Sequence, residues 1–204
     1  MEIKDTYNTI AKPSEAMLFK DKNSKFFGYA FPVLNKDDVK SHLETLKKVH
    51  HSARHWCYAY QLGTLESNRS YRANDDGEPS NSAGMPIYGQ LQSFDVTNTL
   101  IVVVRYYGGV KLGVSGLINA YRTAAQMAIE SSQIEERTIN IEYCISFAYK
   151  NMNKVMRIIK EKKINIVNQV LELDCKIYIS VRLNDANAIF EIFKNQFEIK
   201  IKEA

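Results

Sequence analysis

The chain has 204 residues, of which 45% are hydrophobic and 25% charged, and its formal net charge is +4. This length and composition fit one large or two small globular domains and exclude a disordered or fibrous chain. The sequence has neither the run of about 18 apolar residues that a transmembrane helix needs nor a signal peptide, so a cytoplasmic protein without membrane contact is expected. Three widely spaced cysteines without a C-x-x-C pair argue against a zinc site and a disulfide framework.

The N-terminal part of the chain alternates between strand and helix patterns, which is typical of a mixed α/β domain. In chain order the predicted elements are a hairpin at residues 16–33, a helix from about residue 35, a strand at 56–62, a short helix at 86–91, a strand at 100–104 and a helix at 115–131. The polar run at residues 133–137 is predicted to be a linker. We therefore expect an N-terminal domain over residues 1–132.

The C-terminal part, residues 138–204, has the clearest periodicity in the chain. Its apolar positions predict strands near 139–147, 164–170, 173–183 and 197–201, with helices near 152–159 and 189–193. The order βαββαβ indicates a ferredoxin-like sandwich, so the fold class is α+β with two domains. Because this part contains no histidine and no glycine-rich loop, we interpret it as a docking module whose sheet could meet a protein partner.

Two polar, glycine-rich segments bracket the predicted central strand. The acidic loop, residues 74–84, reads NDDGEPSNSAG, and the glycine loop, residues 105–116, reads RYYGGVKLGVSG. Glycine permits positive φ angles and a close approach of the backbone to a ligand, so these segments are expected to form a contact surface. The residues expected to shape them are Asp75, Asp76, Gly77, Glu78, Pro79 and Gly84 in the first loop and Gly108, Gly109 and Gly113 in the second.

The three carboxylates of the acidic loop have two readings. Hard oxygen ligands suit Mg²⁺, so a metal site is one alternative. Asp, Gly and Pro are also typical turn residues, and pairing of the carboxylates with Arg72 or Arg105 is the favoured reading. No metal and no cofactor are therefore predicted, and Ser80 and Ser82 are placed as N-caps of the helix that follows.

Basic and aromatic residues cluster around the same segments. Residues 96–129 contain three basic side chains and no acid, and a second basic stretch precedes the acidic loop. Cations beside stacking rings suit single-stranded or looped RNA, although one of the two adjacent tyrosines is expected to pack inward. The candidate nucleic-acid contacts are Arg54, His55, Arg72, Arg105, Tyr106, Tyr107 and Lys111.

Four segments of the chain are together similar to the IMPACT family, in its bacterial YigZ branch. They are CYAY at 57–60, DDGEPS at 75–80, AG-x-PI at 83–87 and VVVRYYGG-x-KLG at 102–113. The resemblance implies an N-terminal fold like a ribosomal-protein domain and domain IV of elongation factor G, and a C-terminal fold like domain V of that factor. Both relations imply contact with RNA or the ribosome, and eukaryotic relatives regulate translation.

Two functional hypotheses follow from these residues. The favoured one is a non-enzymatic RNA- or ribosome-binding protein that acts around translation or the stress response and has no catalytic residue. The alternative is a hydrolase of a small molecule or peptide, whose site would combine the three loop carboxylates with His55 and Lys111. A protein–protein adaptor is a third reading, and whether the chain is an enzyme stays open with a preference against it.

Overall fold

The computed structural model describes residues 4–204, which form eleven strands and five α-helices. The strands are β1 (Thr6–Ile10), β2 (Met17–Asp21), β3 (Ser24–Pro32), β4 (His55–Leu62), β5 (Ser70–Asn74), β6 (Thr99–Tyr106), β7 (Ile134–Thr138), β8 (Asn140–Ala148), β9 (Asn165–Val170), β10 (Asp174–Arg182) and β11 (Ile199–Glu203). The helices are α1 (Lys36–Val49), α2 (Gly84–Ser93), α3 (Gly113–Glu130), α4 (Met152–Glu161) and α5 (Leu183–Lys194). No helix in this described part is long and apolar enough to cross a membrane.

The chain divides into two units, residues 7–137 and residues 138–204 with the described residues before Tyr7. The first unit is built on an antiparallel sheet with the strand order β2-β3-β6-β4-β5. The central strand β6 is buried on both faces, which explains its uninterrupted run of apolar residues. The two-domain α+β fold expected from the sequence is confirmed.

The two faces of this sheet carry different cores. On the α3 face, Ile101 and Val103 of β6 pack with residues of α2 and α3. On the α1 face, Val102 and Val104 pack with Val39 and Leu46 of α1. Because successive side chains of a strand point to opposite faces, Arg105 belongs to the α3 face and Tyr106 to the α1 face.

Helix α1 begins and ends on defined hydrogen bonds. The Asn35 side chain accepts from the backbone amides of Asp37 and Asp38, both at 2.9 Å, and forms a capping box. At the other end His50 is buried, with Nε2 2.6 Å from the Tyr29 hydroxyl and Nδ1 2.9 Å from the Tyr106 hydroxyl. Burial lowers the pKa of His50, so its neutral form is favoured inside this aromatic layer.

The second unit has the sheet order β11-β8-β10-β9, which is the ferredoxin-like arrangement of a βαββαβ chain. Helices α4 and α5 supply Val155, Ile159, Ile189 and Phe193 to its core. An ion pair between Asp5 and Arg182 attaches the segment before β1 to this unit.

Three strands, β1, β5 and β7, were not predicted, and each has only five residues, several of them polar. Residues 134–138, expected to be a linker, form β7 and pair with β1. Strand β5 is an edge strand with exposed polar residues, so its apolar alternation is weak. Pairing with a neighbour, which local sequence does not reveal, decides the conformation of such segments.

Replacement of Gly28 by alanine is expected to destabilise the first unit by about 3 kcal/mol. A Cβ atom at Gly28 would lie 2.2 Å from the backbone oxygen of Ala124, so α3 would have to move away from β3. Urea unfolding followed by fluorescence of Trp56, the only tryptophan of the chain, measures the change. Gly89→Ala is the matched control, because a Cβ there meets nothing within 4 Å and alanine favours helix.

Candidate nucleic-acid interface

The carboxylate of Asp75 holds the acidic loop together. Its Oδ1 accepts hydrogen bonds from the amides of Ala83 at 2.9 Å and Gly84 at 2.8 Å, and its Oδ2 accepts from the amide of Asn81 at 2.9 Å. Asp75 therefore occupies the start of α2, where an anion is favoured by the helix dipole. The predicted N-cap role of Ser80 and Ser82 is wrong. The amides at the start of α2 donate to Asp75, which lies earlier in the chain, and the Ser82 hydroxyl donates to the carbonyl of Pro79.

Asp76 fixes the acidic loop to the start of β4. Its Oδ2 accepts from the Trp56 amide at 2.7 Å, and its carbonyl lies 2.8 Å from Nδ1 of His55, which must be the donor to a carbonyl oxygen. Asp76 and Gly77 both have positive φ angles, 42° and 88°, as a tight turn requires. The turn chemistry predicted for this loop is confirmed.

Glu78 joins the two loops through a buried cluster. Its Oε1 accepts from Nη1 of Arg105 at 2.6 Å and from the Tyr121 hydroxyl at 2.7 Å. The side chains of Arg105 and Glu78 are only 7% and 5% exposed. The Arg105 guanidinium also contacts two aromatic rings, 5.4 Å from the centroid of Phe26 and 5.5 Å from that of Tyr107.

The prediction that a loop carboxylate pairs with Arg105 is confirmed by this cluster. The same contacts correct the expectation that Arg105 meets phosphate, because its charge is buried and neutralised by Glu78. Within the described residues its Nε is buried without a hydrogen-bond partner. Arg105 is therefore a positioning residue that fixes the end of β6 against the acidic loop.

The glycine loop follows this cluster and reaches the surface. Gly108 contacts the β2–β3 turn so closely that a Cβ would lie 2.1 Å from the carbonyl carbon of Asn23. After it, Gly109 and Gly113 have positive φ angles and face open space. Lys111 is exposed and forms no ion pair within residues 4–204, and the Tyr107 side chain is 44% exposed.

Helix α3 begins directly behind Lys111 and differs from α2 at its start. Leu112 stands at the N-cap position of α3, and its side chain has no oxygen that could accept from the amides of the first turn. At α2 the equivalent amides are bonded to Asp75. Neither helix is capped by the side chain of its own N-cap residue, but α2 has the carboxylate of Asp75 at its start. The start of α3, beside the exposed Lys111, is therefore the one suited to an external anion.

The other predicted contacts fall in separate places. Arg54 is exposed beside the end of β6, where its amide donates to the Arg105 carbonyl at 3.4 Å, and His55 is half-buried against the acidic loop. Tyr106 packs inward on the α1 face, as expected for one of the two tyrosines. Arg72 pairs with Tyr60 across β4 and β5, so it lies on the α1 face, about 17 Å along the sheet from the level of Arg105.

No group of three or more histidine, cysteine, aspartate or glutamate residues in the described part could hold a metal ion. The hydroxyl of Tyr121 and the thiol of Cys57 both have pKa values raised by burial, so neither is an activated group. These two buried groups donate hydrogen bonds to Glu78 and to the Asp75 carbonyl, respectively, and so stabilise the acidic loop.

The fold and this site define a two-domain α+β protein whose sheet ends in a glycine loop locked to an acidic turn. Residues 22–129 match the sequence profile of the Impact N-terminal domain. The chain belongs to the IMPACT family, as its four sequence segments predicted.

Individual relatives agree with this assignment. The chain is 32% identical over 158 residues to the IMPACT family member YvyE of Bacillus subtilis, over 78% of this chain and 71% of that protein. It is 30% identical over 147 residues to the IMPACT family member YigZ of Escherichia coli, over 72% of each. A crystal structure of a protein described as hypothetical has the same fold, with a TM-score of 0.75 at 23% identity over 98% of this chain and 97% of the other.

Loss of the Glu78 charge should destabilise the first unit by about 3 kcal/mol, because Arg105 would remain buried without a counter-charge. Glu78→Gln keeps the size of the side chain, and urea unfolding followed by Trp56 fluorescence measures the effect. The exposed pair of Lys40 and Glu44 supplies a control, since Glu44→Gln should cost less than about 1 kcal/mol. Adding Arg105→Met to Glu78→Gln should restore part of the stability, and a further loss in this double variant would contradict the buried-charge account.

Proposed function

We propose that this chain is a non-enzymatic RNA- or ribosome-binding protein that acts in translation or the stress response in the cytoplasm. One observation carries the proposal: the carboxylates of the acidic loop are bonded within the fold, whereas the cation of the glycine loop is exposed. Asp75 and Glu78 neutralise the start of α2 and Arg105, respectively. Lys111 remains available at the surface beside the start of α3.

The surface proposed for RNA consists of Lys111, Tyr107 and Arg54. Lys111 would contact phosphate together with the amides at the start of α3, and Tyr107 offers a partly exposed ring for stacking. No acid between residues 96 and 129 opposes this charge. His55 keeps Nε2 for a further polar contact, because only its Nδ1 is bonded to the acidic loop.

The C-terminal unit supports the same kind of partner. Lys200 of β11 and Lys176 of β10 lie in one cross-strand row on either side of Ser146, and both lysines are exposed. Lys202 is exposed two residues along β11 from Lys200. These three lysines outnumber the exposed carboxylates of Glu142 and Asp174 on the same face, so the face suits a polyanion better than an apolar partner.

The hydrolase alternative is less well supported by the same contacts. It needs the loop carboxylates as free acids or bases, whereas Asp75 accepts three backbone hydrogen bonds and Glu78 is bonded to Arg105 and Tyr121. A catalytic carboxylate must reach the reacting atoms of a substrate, and the side chain of Glu78 is almost fully buried. These contacts favour a supporting role for the acidic loop.

Lys111→Glu should weaken binding to ribosomal RNA about tenfold and reduce the slope of log affinity against log salt by about 0.7 to 0.9. Filter binding at several salt concentrations measures both quantities. Lys12→Glu is the matched control and should have a much smaller effect, because it makes the same change in net charge at an exposed position beside Ala11, whose amide bonds to Gln133 beyond the far end of α3. Equal affinities for the Lys111→Glu variant and the unchanged protein would refute the proposed surface.

A further inference from the structure

A groove on the α1 face, remote from the glycine loop, has the composition of a second binding site. One wall is a single stripe of α1, and the floor and opposite wall come from β4 and the edge strand β5. Its volume is about 320 Å³, at the lower end of the range for small-ligand sites. The residues that line it are Lys36, Val39, Lys40, Leu43, Glu44, Lys47, Tyr58, Tyr60 and Arg72.

The charge of the groove is strongly unbalanced. Four cations line it against a single carboxylate, that of Glu44. Glu44 lies 4.0 Å from Lys40 in an exposed pair, which is too weak to neutralise the groove. Lys47 at one end and Arg72 on the edge strand have no carboxylate partner within the described residues. A groove of this charge attracts an anion and not an apolar segment.

The floor of the groove is aromatic. Tyr58 and Tyr60 lie on the same face of β4 with parallel rings, 6.4 Å between centroids and 6° between planes. Tyr58 is half-buried, so part of its ring meets solvent beside the cations. Trp56 precedes them on the same face, and the Lys47 ammonium lies 5.8 Å from its ring centroid. Aromatic rings flanked by cations are the usual platform for unpaired bases.

We propose that this groove binds single-stranded RNA, with one base against Tyr58 and the neighbouring phosphates of the strand on Lys40, Lys47 and Arg72. It is a second site on the α1 face and does not include Lys111. A volume of about 320 Å³ has room for a base and its neighbouring phosphates but not for an RNA duplex. The groove binds a short strand by itself, without the glycine loop.

The test is a titration of the full chain with hexauridylate that carries a fluorescent label at its 5′ end, followed by the anisotropy of the label. In the unchanged protein the emission of Trp56 should also change, because Lys47 lies 5.8 Å from the centroid of the indole ring and would bind a phosphate there. Lys47→Glu should weaken binding about tenfold, and affinity should fall more than tenfold between 50 and 200 mM salt if three phosphates are contacted. Lys36→Glu should also weaken binding, although an acid in the first turn favours the helix.

The matched control is Lys48→Glu, which makes the same charge change on the neighbouring position of α1 and leaves the groove lining intact. It should bind hexauridylate like the unchanged protein. Equal losses in the Lys47 and Lys48 variants, or equal competition by hexaglutamate, would overturn the proposal, because either result indicates attraction of any anion. Lys111→Glu should leave this titration unchanged, so failure of the groove and failure of the glycine-loop surface give different results.

Discussion

The buried ion pair between Glu78 and Arg105 is the constraint on which the loop surface depends. Taking two charges out of water is costly, so the pair is tolerated only when its geometry is well satisfied. The Tyr121 hydroxyl and the rings of Phe26 and Tyr107 complete that environment. Because the pair joins the end of β6 to the acidic loop, it fixes where the glycine loop begins and therefore which of its side chains reach solvent.

The charged residues of the first unit divide into supporting and accessible groups. The carboxylates of Asp75 and Asp76 accept hydrogen bonds from backbone amides, and that of Glu78 is paired with a buried cation, so all three are held within the fold. Lys111 and the lysines of the α1 groove are exposed. The two accessible groups lie on different elements, the glycine loop and helix α1.

The sequence predicts those parts of this molecule that local pattern controls. The alternation over residues 173–183 predicted strand β10 and the inward direction of its alternate side chains from Cys175 to Val181, and the turn residues of the acidic loop indicated its structural role. The pairing of a loop carboxylate with Arg105 was predicted, but the burial of that pair was not, because the apolar run of β6 is buried on both faces and gives no sign of which way Arg105 points. The α1 groove was missed for a related reason. Lys36, Lys40 and Lys47 can be read as one helical stripe, but only the fold shows that Tyr58 and Arg72 lie opposite them.

The three buried cysteines allow the local opening of each unit to be followed by thiol labelling. Cys57 is buried in the first unit, and Cys144 and Cys175 are buried in the second. Only a thiolate reacts with an alkylating reagent, and burial raises the pKa of Cys57, so modification must wait for the surrounding structure to open. The labelling rate of Cys57 therefore reports how often β4 separates from the acidic loop, to whose Asp75 carbonyl the thiol donates. The labelling rates of Cys144 and Cys175 report local opening of the ferredoxin-like sheet. The opening rates of the two units can therefore be measured separately without any substitution in the chain.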